Sequence, residues 1–254
     1  MLKALERTFL DLLYPSDLYC ICCHKIIDGS RPYHLCNDCM KSIKWIDGKL
    51  CEKCGKILSP NNPGSICFNC KQNEHSFNRG YTCSEYGMQN RSMVYSLKYD
   101  EHPEIAKVIA EIMVDRMSEL FTKEELKSKY NLLIPVPVSR EKMQMRGYNQ
   151  AALIAKYLSR KTDLRYEGEI LKRDKDTSAM KGLDPMQRRN NIKGSFSVLP
   201  WHTDTVKGQS CLIVDDIVTT GTTVDEIAMV LYENGAKQVD FISFANGADV
   251  IKSE

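Results

Sequence analysis

The 254-residue sequence lacks several features that mark common classes of protein. No apolar run approaches the roughly 18 residues that a membrane-spanning helix needs, so we expect no membrane insertion. The phosphate-binding patterns G-x-x-x-x-G-K-[ST] and G-x-G-x-x-G are both absent, which argues against a P-loop enzyme and against a typical dinucleotide-binding fold. Lys and Arg exceed Asp and Glu by only 2, so net charge alone predicts neither a nucleic-acid binder nor a membrane-surface protein.

Cysteine is scarce after residue 83, where only Cys211 remains of the 11 in the chain. This change in composition predicts two domains, residues 1–75 and 76–254. The amphipathic pattern of Met1–Tyr14 contains charges and is followed by Pro15, which predicts a helix and not a signal peptide. We therefore expect a cytoplasmic protein, in which paired cysteines more often bind metal or do redox chemistry than form disulfides.

Four C-x-x-C pairs form a duplicated pattern with a period of about 31 residues. The pairs are Cys20/Cys23, Cys36/Cys39, Cys51/Cys54 and Cys67/Cys70. Two pairs supply the four thiolates of a closed structural Zn²⁺ site, so the pattern predicts two zinc ions bound by sequential pairs. An interleaved arrangement, in which Cys20/Cys23 joins Cys51/Cys54, stays open, and so does redox chemistry of a C-x-x-C motif.

The most informative segment is an apolar run that leads into two carboxylates and a turn of Thr and Gly, Cys211–Thr223. The apolar residues predict a buried strand, and the end of such a strand together with the next helix N-terminus is a common phosphate site. We expect this turn to cradle a monophosphate through hydroxyls and amides, from Thr219, Thr220, Gly221, Thr222 and Thr223.

The carboxylates Asp215 and Asp216 are expected at the exposed end of that strand, where they would hold ribose hydroxyls directly or through Mg²⁺. The alternative is a strand that merely ends in two solvated aspartates. The segment from Leu212 to Thr223 resembles, position by position, the phosphoribosyl pyrophosphate (PRPP) signature of the type I phosphoribosyltransferases.

A second short buried strand is predicted at Leu132–Ile134, and the loop after it should lie at the same edge of the sheet. The candidate ligand residues of this loop are Val136, Pro137, Ser139 and Arg140. Arg146 is expected at the start of the next helix, where a cation is poorly placed for the helix dipole, so an anionic ligand would explain it. An exposed arginine paired with water or an acid is the alternative.

The segment Lys172–Lys193 is long and polar. It belongs to a basic region, residues 140–193, in which 14 Lys and Arg accompany 7 Asp and Glu. A structureless loop of this length is usually functional or disordered. We expect a lid that closes over an anionic ligand and excludes water, and an ordinary disordered loop is the alternative.

Together these features resemble the ComF family of bacterial proteins associated with DNA uptake, over nearly the whole chain. Besides the cysteine pairs, the resemblance rests on Leu97-Lys98-Tyr99, Pro135-Val136-Pro137, Arg146-Gly147-Tyr148-Asn149-Gln150, the Leu183/Arg188/Asn191 spacing and Leu212–Thr223. It implies an α/β fold with a mainly parallel sheet like that of type I phosphoribosyltransferases, preceded by a double zinc ribbon. In such proteins the loop at Val136–Arg140 binds pyrophosphate.

Two hypotheses about function follow from the resemblance. The first is a phosphoribosyltransferase that acts on PRPP with Mg²⁺, with Asp215, Asp216 and Arg146 as its catalytic residues. The second is a non-catalytic adaptor that binds PRPP or a nucleotide and holds single-stranded DNA or a DNA translocase. No general base for an acceptor stands out in the sequence, so both hypotheses stay open. The sequence predicts no acceptor, because specificity would lie in a hood region whose side chains have no known signature.

Overall fold

The computed structural model describes residues 18–100, 102–174 and 192–249. Its central element is a five-stranded parallel sheet with the strand order β1-β7-β6-β2-β3. These strands are β1 (Gly80–Glu85), β2 (Leu132–Pro135), β3 (Arg165–Tyr166), β6 (Ser210–Val218) and β7 (Gln238–Asn246). A separate antiparallel pair consists of β4 (Leu171–Arg173) and β5 (Phe196–Val198).

Helices cover both faces of the sheet. In chain order they are α1 (Asn37–Ser42), α2 (Phe68–Gln72), α3 (Met88–Tyr99), α4 (Ile105–Ser118), α5 (Lys123–Lys129), α6 (Arg140–Arg146), α7 (Gln150–Thr162), α8 (Thr203–Val206) and α9 (Thr222–Glu233). In α4 the apolar residues recur at helical spacing, and the buried side of this helix includes Val108, Ile109 and Ile112. This burial is the reason for the helical apolar pattern of the segment.

Alternate strand residues enter two separate cores, as the period-2 geometry of strands requires. Leu133 and Val214 pack with residues of α4 and α7 in one buried cluster. Their neighbours Leu132 and Ile213 pack with residues of α9 in the other. The predicted α/β fold with a mainly parallel sheet is confirmed.

The parallel register brings the ends of four strands to one edge of the sheet. Pro135 of β2 pairs with Val214 of β6, and Asp215 pairs with Ser243 of β7. Glu85, the last residue of β1, pairs with Asn246, the last residue of β7. We call this side the carboxyl edge, and the segments that lead to α3, α6 and α9 all leave the sheet there.

The two halves of the cysteine pattern have the same local fold, and we call them the first cysteine repeat (residues 20–39) and the second cysteine repeat (residues 51–70). Each begins with a small antiparallel bridge, Tyr19↔Ile26 in one and Leu50↔Ile57 in the other. The first repeat packs on helices. One contact is the hydrogen bond that Ser92 of α3 donates to the Cys22 carbonyl oxygen at 3.1 Å.

The second cysteine repeat packs instead on the carboxyl edge of the sheet. Asn246 donates from Nδ2 to the Cys54 carbonyl oxygen at 3.2 Å. Asp249 accepts from the amides of Ser59 and Phe68, at 3.0 and 2.9 Å. The chain segment that follows β7 therefore fastens this repeat to the sheet.

Among the residues in these ranges, no helix is both long and apolar enough to span a membrane. The predicted helix Met1–Tyr14 lies outside the described residues, and so does most of the predicted lid, residues 175–191. Both stay predictions, as does the domain boundary after residue 75.

Gly80 is a position where the sheet and the second cysteine repeat leave no room for a side chain. A Cβ there would overlap the Phe241 ring and lie 2.8 Å from the Cys54 carbonyl oxygen. We expect Gly80→Ala to lower the free energy of unfolding by about 1–3 kcal/mol, as overpacking of a core typically does. Gly87→Ala is the matched control, since its nearest neighbour would be Asn90 Oδ1 at 3.8 Å. Urea denaturation measures both variants, and equal midpoints would contradict the prediction.

Candidate functional site

The eight paired cysteines form two clusters of four thiols. In each cluster the Sγ atoms all lie within 4.8 Å of one another, and the members are Cys20, Cys23, Cys36 and Cys39 in one and Cys51, Cys54, Cys67 and Cys70 in the other. The structure thus brings the pairs together sequentially and not in the interleaved arrangement. The Cys23–Cys36 and Cys54–Cys67 sulfur separations are 3.6 and 3.7 Å. A tetrahedral zinc ion with bonds of about 2.3 Å would space its sulfurs at about 3.8 Å.

Backbone amides donate to equivalent sulfurs in both clusters. The Cys36 amide donates to Cys20 Sγ and the Cys67 amide donates to Cys51 Sγ, both at 3.3 Å. Cys36 and Cys67 also accept at their sulfurs from the amides three residues further on, which begins α1 and α2. Such bonds favour the thiolate form that a metal requires. Each donor set therefore fits Zn²⁺ in a closed structural site.

The acidic pair, Asp215 and Asp216, is buried within β6. The strand continues to Val218, and the two residues are only 9% and 2% exposed. The expectation that they lie at the exposed end of the strand is therefore wrong. The reason is that β6 keeps pairing with β7 beyond the acidic pair, through Ile217↔Ala245.

Asp216 forms an ion pair with a lysine that the sequence motifs assigned no role. Lys98 of α3 places its Nζ 2.6 Å from Asp216 Oδ2. Burial lowers the pKa of Lys98, but the charge and hydrogen bond of Asp216, with the charge of Asp215, outweigh it and leave this pKa raised. Burial and then the Asp216 charge raise the pKa of Asp215 well above its ordinary range. The site therefore holds a lysine–aspartate ion pair beside a second carboxyl group, that of Asp215, which resists ionisation.

Arg146 is the last residue of α6 and not the first residue of the next helix. The expectation of an arginine at a helix start is wrong, because Gly147 ends α6 with a φ of 74° and Asn149 caps the N-terminus of α7. A cation at the end of α6 instead complements the helix dipole. Its position on a helix C-terminus consequently does not require an anionic ligand.

Neighbouring polar residues hold Arg146 at the carboxyl edge. Nη1 donates to Gln150 Oε1 at 2.9 Å, and Nη2 donates to the Tyr99 hydroxyl at 3.2 Å. The guanidinium carbon lies 5.0 Å from the Tyr99 ring centroid, within cation–π range. Nε is buried and has no hydrogen-bond partner within the described ranges. Arg146 is therefore oriented by its neighbours and keeps one donor for a further partner.

Three cations lie close enough to Lys142 to affect its pKa, and we call Lys98, Lys142, Arg146 and Arg173 the cationic group. Desolvation lowers the pKa of Lys142, and the positive charges of the other three lower it further. Asp216 acts in the opposite direction. Such a concentration of positive charge suits a ligand with several phosphate oxygens.

The loop after β2 has both structural and exposed residues. Val136 is buried, and its carbonyl oxygen accepts from Asn149 Nδ2 at 3.0 Å. Ser139 is buried and caps α6 through its side chain. Pro137 is half-buried and Arg140 is exposed. Val136 and Ser139 thus shape the loop, and Arg140 is the side chain that solvent or a ligand can reach.

Residues Thr219–Thr223, the threonine turn, connect β6 to α9. Gly221 has a φ of 83°, and a side chain there would also press on the His75 and Phe77 rings at 3.3 Å. Thr220 and Thr222 join their hydroxyls at 2.8 Å. The turn therefore presents hydroxyls and the first amides of α9, the groups that bind phosphate at helix N-termini.

The second cysteine repeat supports this turn, a contact that no sequence motif indicated. Asn69 of α2 donates from Nδ2 to the Thr220 carbonyl oxygen at 3.0 Å. His75, just after the repeat, lies 3.6 Å from Asp225 of α9. The equal spacing of the cysteine pairs predicts two similar repeats, but it contains no signal for which of them touches the turn.

Two family models match the chain, a double zinc ribbon domain over residues 9–71 and a phosphoribosyl transferase domain over residues 145–252. The chain is 30% identical to the DNA utilization protein YhgH of Escherichia coli O6:H1 over 206 residues, which are 81% of this chain and 87% of that protein. It is also 30% identical to Competence protein F of Haemophilus influenzae, with the same coverage of each chain. The chain belongs to the ComF family.

A more distant ComF relative is Competence protein ComFC of Bacillus subtilis, 23% identical over 79% of each chain. The predicted resemblance to this family is thereby confirmed, and so is the order of a cysteine-rich double zinc ribbon followed by a phosphoribosyltransferase-like domain. The acidic pair and the threonine turn of this ComF chain both lie within the range of the second model.

Metal analysis tests the cysteine clusters. We expect two zinc ions per chain, since the structure has two closed sets of four thiols. Cys54→Ser should lose one ion, whereas Cys22→Ser should keep both because Cys22 belongs to neither cluster. Chelation should unfold the repeats, because structural zinc contributes about 10–16 kcal/mol of apparent binding energy in small domains. Elemental analysis of protein purified under reducing conditions measures this, and fewer than one zinc per chain would contradict it.

The two aspartates should respond oppositely to amide substitution. Because the pKa of Asp215 is raised, the folded protein binds that proton more tightly than the unfolded chain does. Stability therefore falls as the pH rises from the ordinary Asp range through the raised pKa. Asp215→Asn removes this loss and should raise the free energy of unfolding at neutral pH.

Asp216→Asn should lower the free energy of unfolding, because it leaves Lys98 without its counter-charge. We expect a loss of about 1–3 kcal/mol, less than for a fully buried pair, since the Lys98 side chain is 20% exposed. Urea denaturation of both variants at several pH values measures the effects. Shifts of the same sign in the two variants at neutral pH would contradict this account.

Proposed function

We propose that this ComF chain binds PRPP at the carboxyl edge of its sheet, in the cytoplasm, and transfers the phosphoribosyl group to an acceptor. The observation that carries the proposal is a convergence at one edge: the threonine turn follows the acidic pair after two residues of β6, and Lys98 and Lys142 of the cationic group lie within electrostatic reach of Asp216. A sugar flanked by a monophosphate and a pyrophosphate has the charges that this arrangement complements.

In the proposed complex, the 5′-phosphate lies on the threonine turn at the N-terminus of α9. The ribose hydroxyls lie over Asp215 and Asp216. The pyrophosphate faces Arg140 and the cationic group. Because Asp216 is held by Lys98 in the free protein, binding exchanges partners: Lys98 turns to the pyrophosphate while Asp216 accepts from a ribose hydroxyl.

The reaction breaks the bond between C1′ and the pyrophosphate oxygen, and the electron pair leaves with pyrophosphate. Negative charge grows on the leaving group and positive charge grows on the sugar ring. The negative charge on pyrophosphate is stabilised by Lys98, Lys142 and Arg146, and the positive charge on the sugar ring is stabilised by the Asp216 carboxylate. Mg²⁺ bound with PRPP would neutralise part of the pyrophosphate charge. The acceptor then bonds to C1′ and loses its proton.

A non-catalytic adaptor is the second candidate, and the burial of the acidic pair favours it. Asp216 is 2% exposed and already paired, so these carboxylates could serve only to anchor α3. In that case the bound ligand would control the binding of single-stranded DNA or of a DNA translocase. The names of the relatives, Competence protein F and ComFC, support a link to DNA uptake for either candidate.

Calorimetric titration with PRPP and Mg²⁺ tests binding. Arg146→Met should weaken PRPP affinity at least about tenfold, because hydrogen bonds to charged groups contribute about 1.5–3 kcal/mol. Arg160→Met is the matched control, because Arg160 also stacks on a tyrosine, at 5.6 Å from the Tyr157 ring, but lies on α7 away from the carboxyl edge. Equal PRPP affinity in wild type and Arg146→Met would refute this part of the proposal.

Pyrophosphate release separates the two candidates. Wild-type protein with PRPP, Mg²⁺ and a panel of nucleobases, amines and single-stranded DNA should release pyrophosphate in the presence of one acceptor class if it is a transferase. Binding of PRPP without release for any member of the panel would favour the adaptor.

A further inference from the structure

Lys56, in the second cysteine repeat, is a nearly fully buried lysine. Only 4% of the residue is exposed, and lysine is almost never buried this deeply unless it is paired. Within the described ranges its ammonium group has neither an ion pair nor a hydrogen bond. A lysine that is so little exposed and has no counter-charge is unusual, so its presence needs an explanation.

Lys56 lines a narrow crevice, too tight to hold a water molecule, between the second cysteine repeat and the threonine turn. The crevice is also lined by Asn69, Thr219, Thr220, Gly221 and Asn246. Asn246 Oδ1 is buried and has no donor in the described part of the chain. Lys56, which has no ion pair among the described residues, and the buried Asn246 Oδ1, which has no donor there, therefore lie beside the turn and the helix N-terminus that suit a phosphate.

The duplication of the repeat provides an internal comparison. Lys25 occupies the same position in the first cysteine repeat, since the amides of Cys20 and Cys51 donate to the carbonyl oxygens of Lys25 and Lys56, both at 2.8 Å. Lys25 has a side chain that is 66% exposed and forms an ion pair with Asp38 at 3.1 Å. The fold of the repeat alone therefore does not bury this lysine.

The second repeat also lacks the counter-ion of the first. The residue equivalent to Asp38, one repeat of about 31 residues later, is Asn69. Asn69 is neutral and donates to the Thr220 carbonyl oxygen. The second cysteine repeat thus has a lysine at this position, as the first repeat does, but it has no equivalent of Asp38. Asn69, which stands at the Asp38 position, contacts the threonine turn instead.

We infer that Lys56 is a phosphate-binding residue, supplied by the second cysteine repeat to the threonine turn. The inference rests on the proposed function of that turn and adds the cation that the turn itself lacks. A phosphate group on the turn provides the missing counter-charge, and the dipole of α9 and the Lys56 ammonium attract it from two sides.

Titration calorimetry of the zinc-loaded full chain with inorganic phosphate and ribose 5-phosphate tests this inference. Lys56→Met should weaken both affinities at least about tenfold, as expected for the loss of a charged hydrogen-bond partner. Lys25→Met is the matched control and should bind both ligands as wild type does. Both variants should keep two zinc ions, and free Lys56→Met should melt close to the wild-type temperature, because the Lys56 ammonium has no ion pair or hydrogen bond to lose within the described part of the chain.

Asn69→Asp provides a second test that leaves the lysine in place. The new carboxylate restores the acid of the first repeat, so it should pair with Lys56 and weaken phosphate binding. If Lys56→Met folds and binds inorganic phosphate and ribose 5-phosphate as wild type does, the inference is overturned while the proposed function stays intact. If Lys56→Met does not fold, unchanged affinity in Asn69→Asp has the same consequence. Failure of wild type to bind these ligands and PRPP would overturn both.

Discussion

The parallel direction of all five strands is the constraint on which the rest of the molecule depends. It brings the chain to one edge after β1, β2 and β6, so a helix that follows β1 and a turn that follows β6 become neighbours. A charged group that is buried at that edge is stabilised when it has a partner. Lys98 and Asp216 form such a pair across α3 and β6. The same helix carries Tyr99, whose hydroxyl accepts a hydrogen bond from Arg146.

Features encoded by nearby residues were predictable from the sequence. The C-x-x-C spacing, the threonine turn and the apolar run of β6 each depend on contacts within a few residues, and the structure contains them. The ion pair of Lys98 was not predictable in this way, because its partner lies on a distant strand and a helical lysine is usually solvated. The helix boundary at Arg146 was misplaced because Gly147 adopts a left-handed conformation and ends α6. The exposure of the acidic pair was misjudged because β6 extends beyond it.

Stability and ligand recognition have opposite requirements at the carboxyl edge. Asp215 has a raised pKa because the fold buries it beside another carboxylate, and Lys142 has a lowered pKa because it is partly desolvated among other cations. Neither arrangement stabilises the free protein. Both are typical of sites in which a ligand supplies the missing counter-charges and hydroxyls. The first cysteine repeat, in contrast, has its lysine exposed and paired, as expected for a surface that only needs to be stable.

The contact between the second cysteine repeat and the threonine turn would link zinc binding to binding of the proposed phosphate. Coupling between two binding sites is reciprocal. If zinc in the second cluster strengthens phosphate binding by some free energy, phosphate strengthens zinc binding by the same free energy. The first cluster packs on helices instead and takes no direct part in this linkage. If the proposed phosphate binds, two metal sites with the same ligands and the same local fold would therefore differ in zinc affinity, and only the second would bind its metal more tightly when sugar phosphate is abundant.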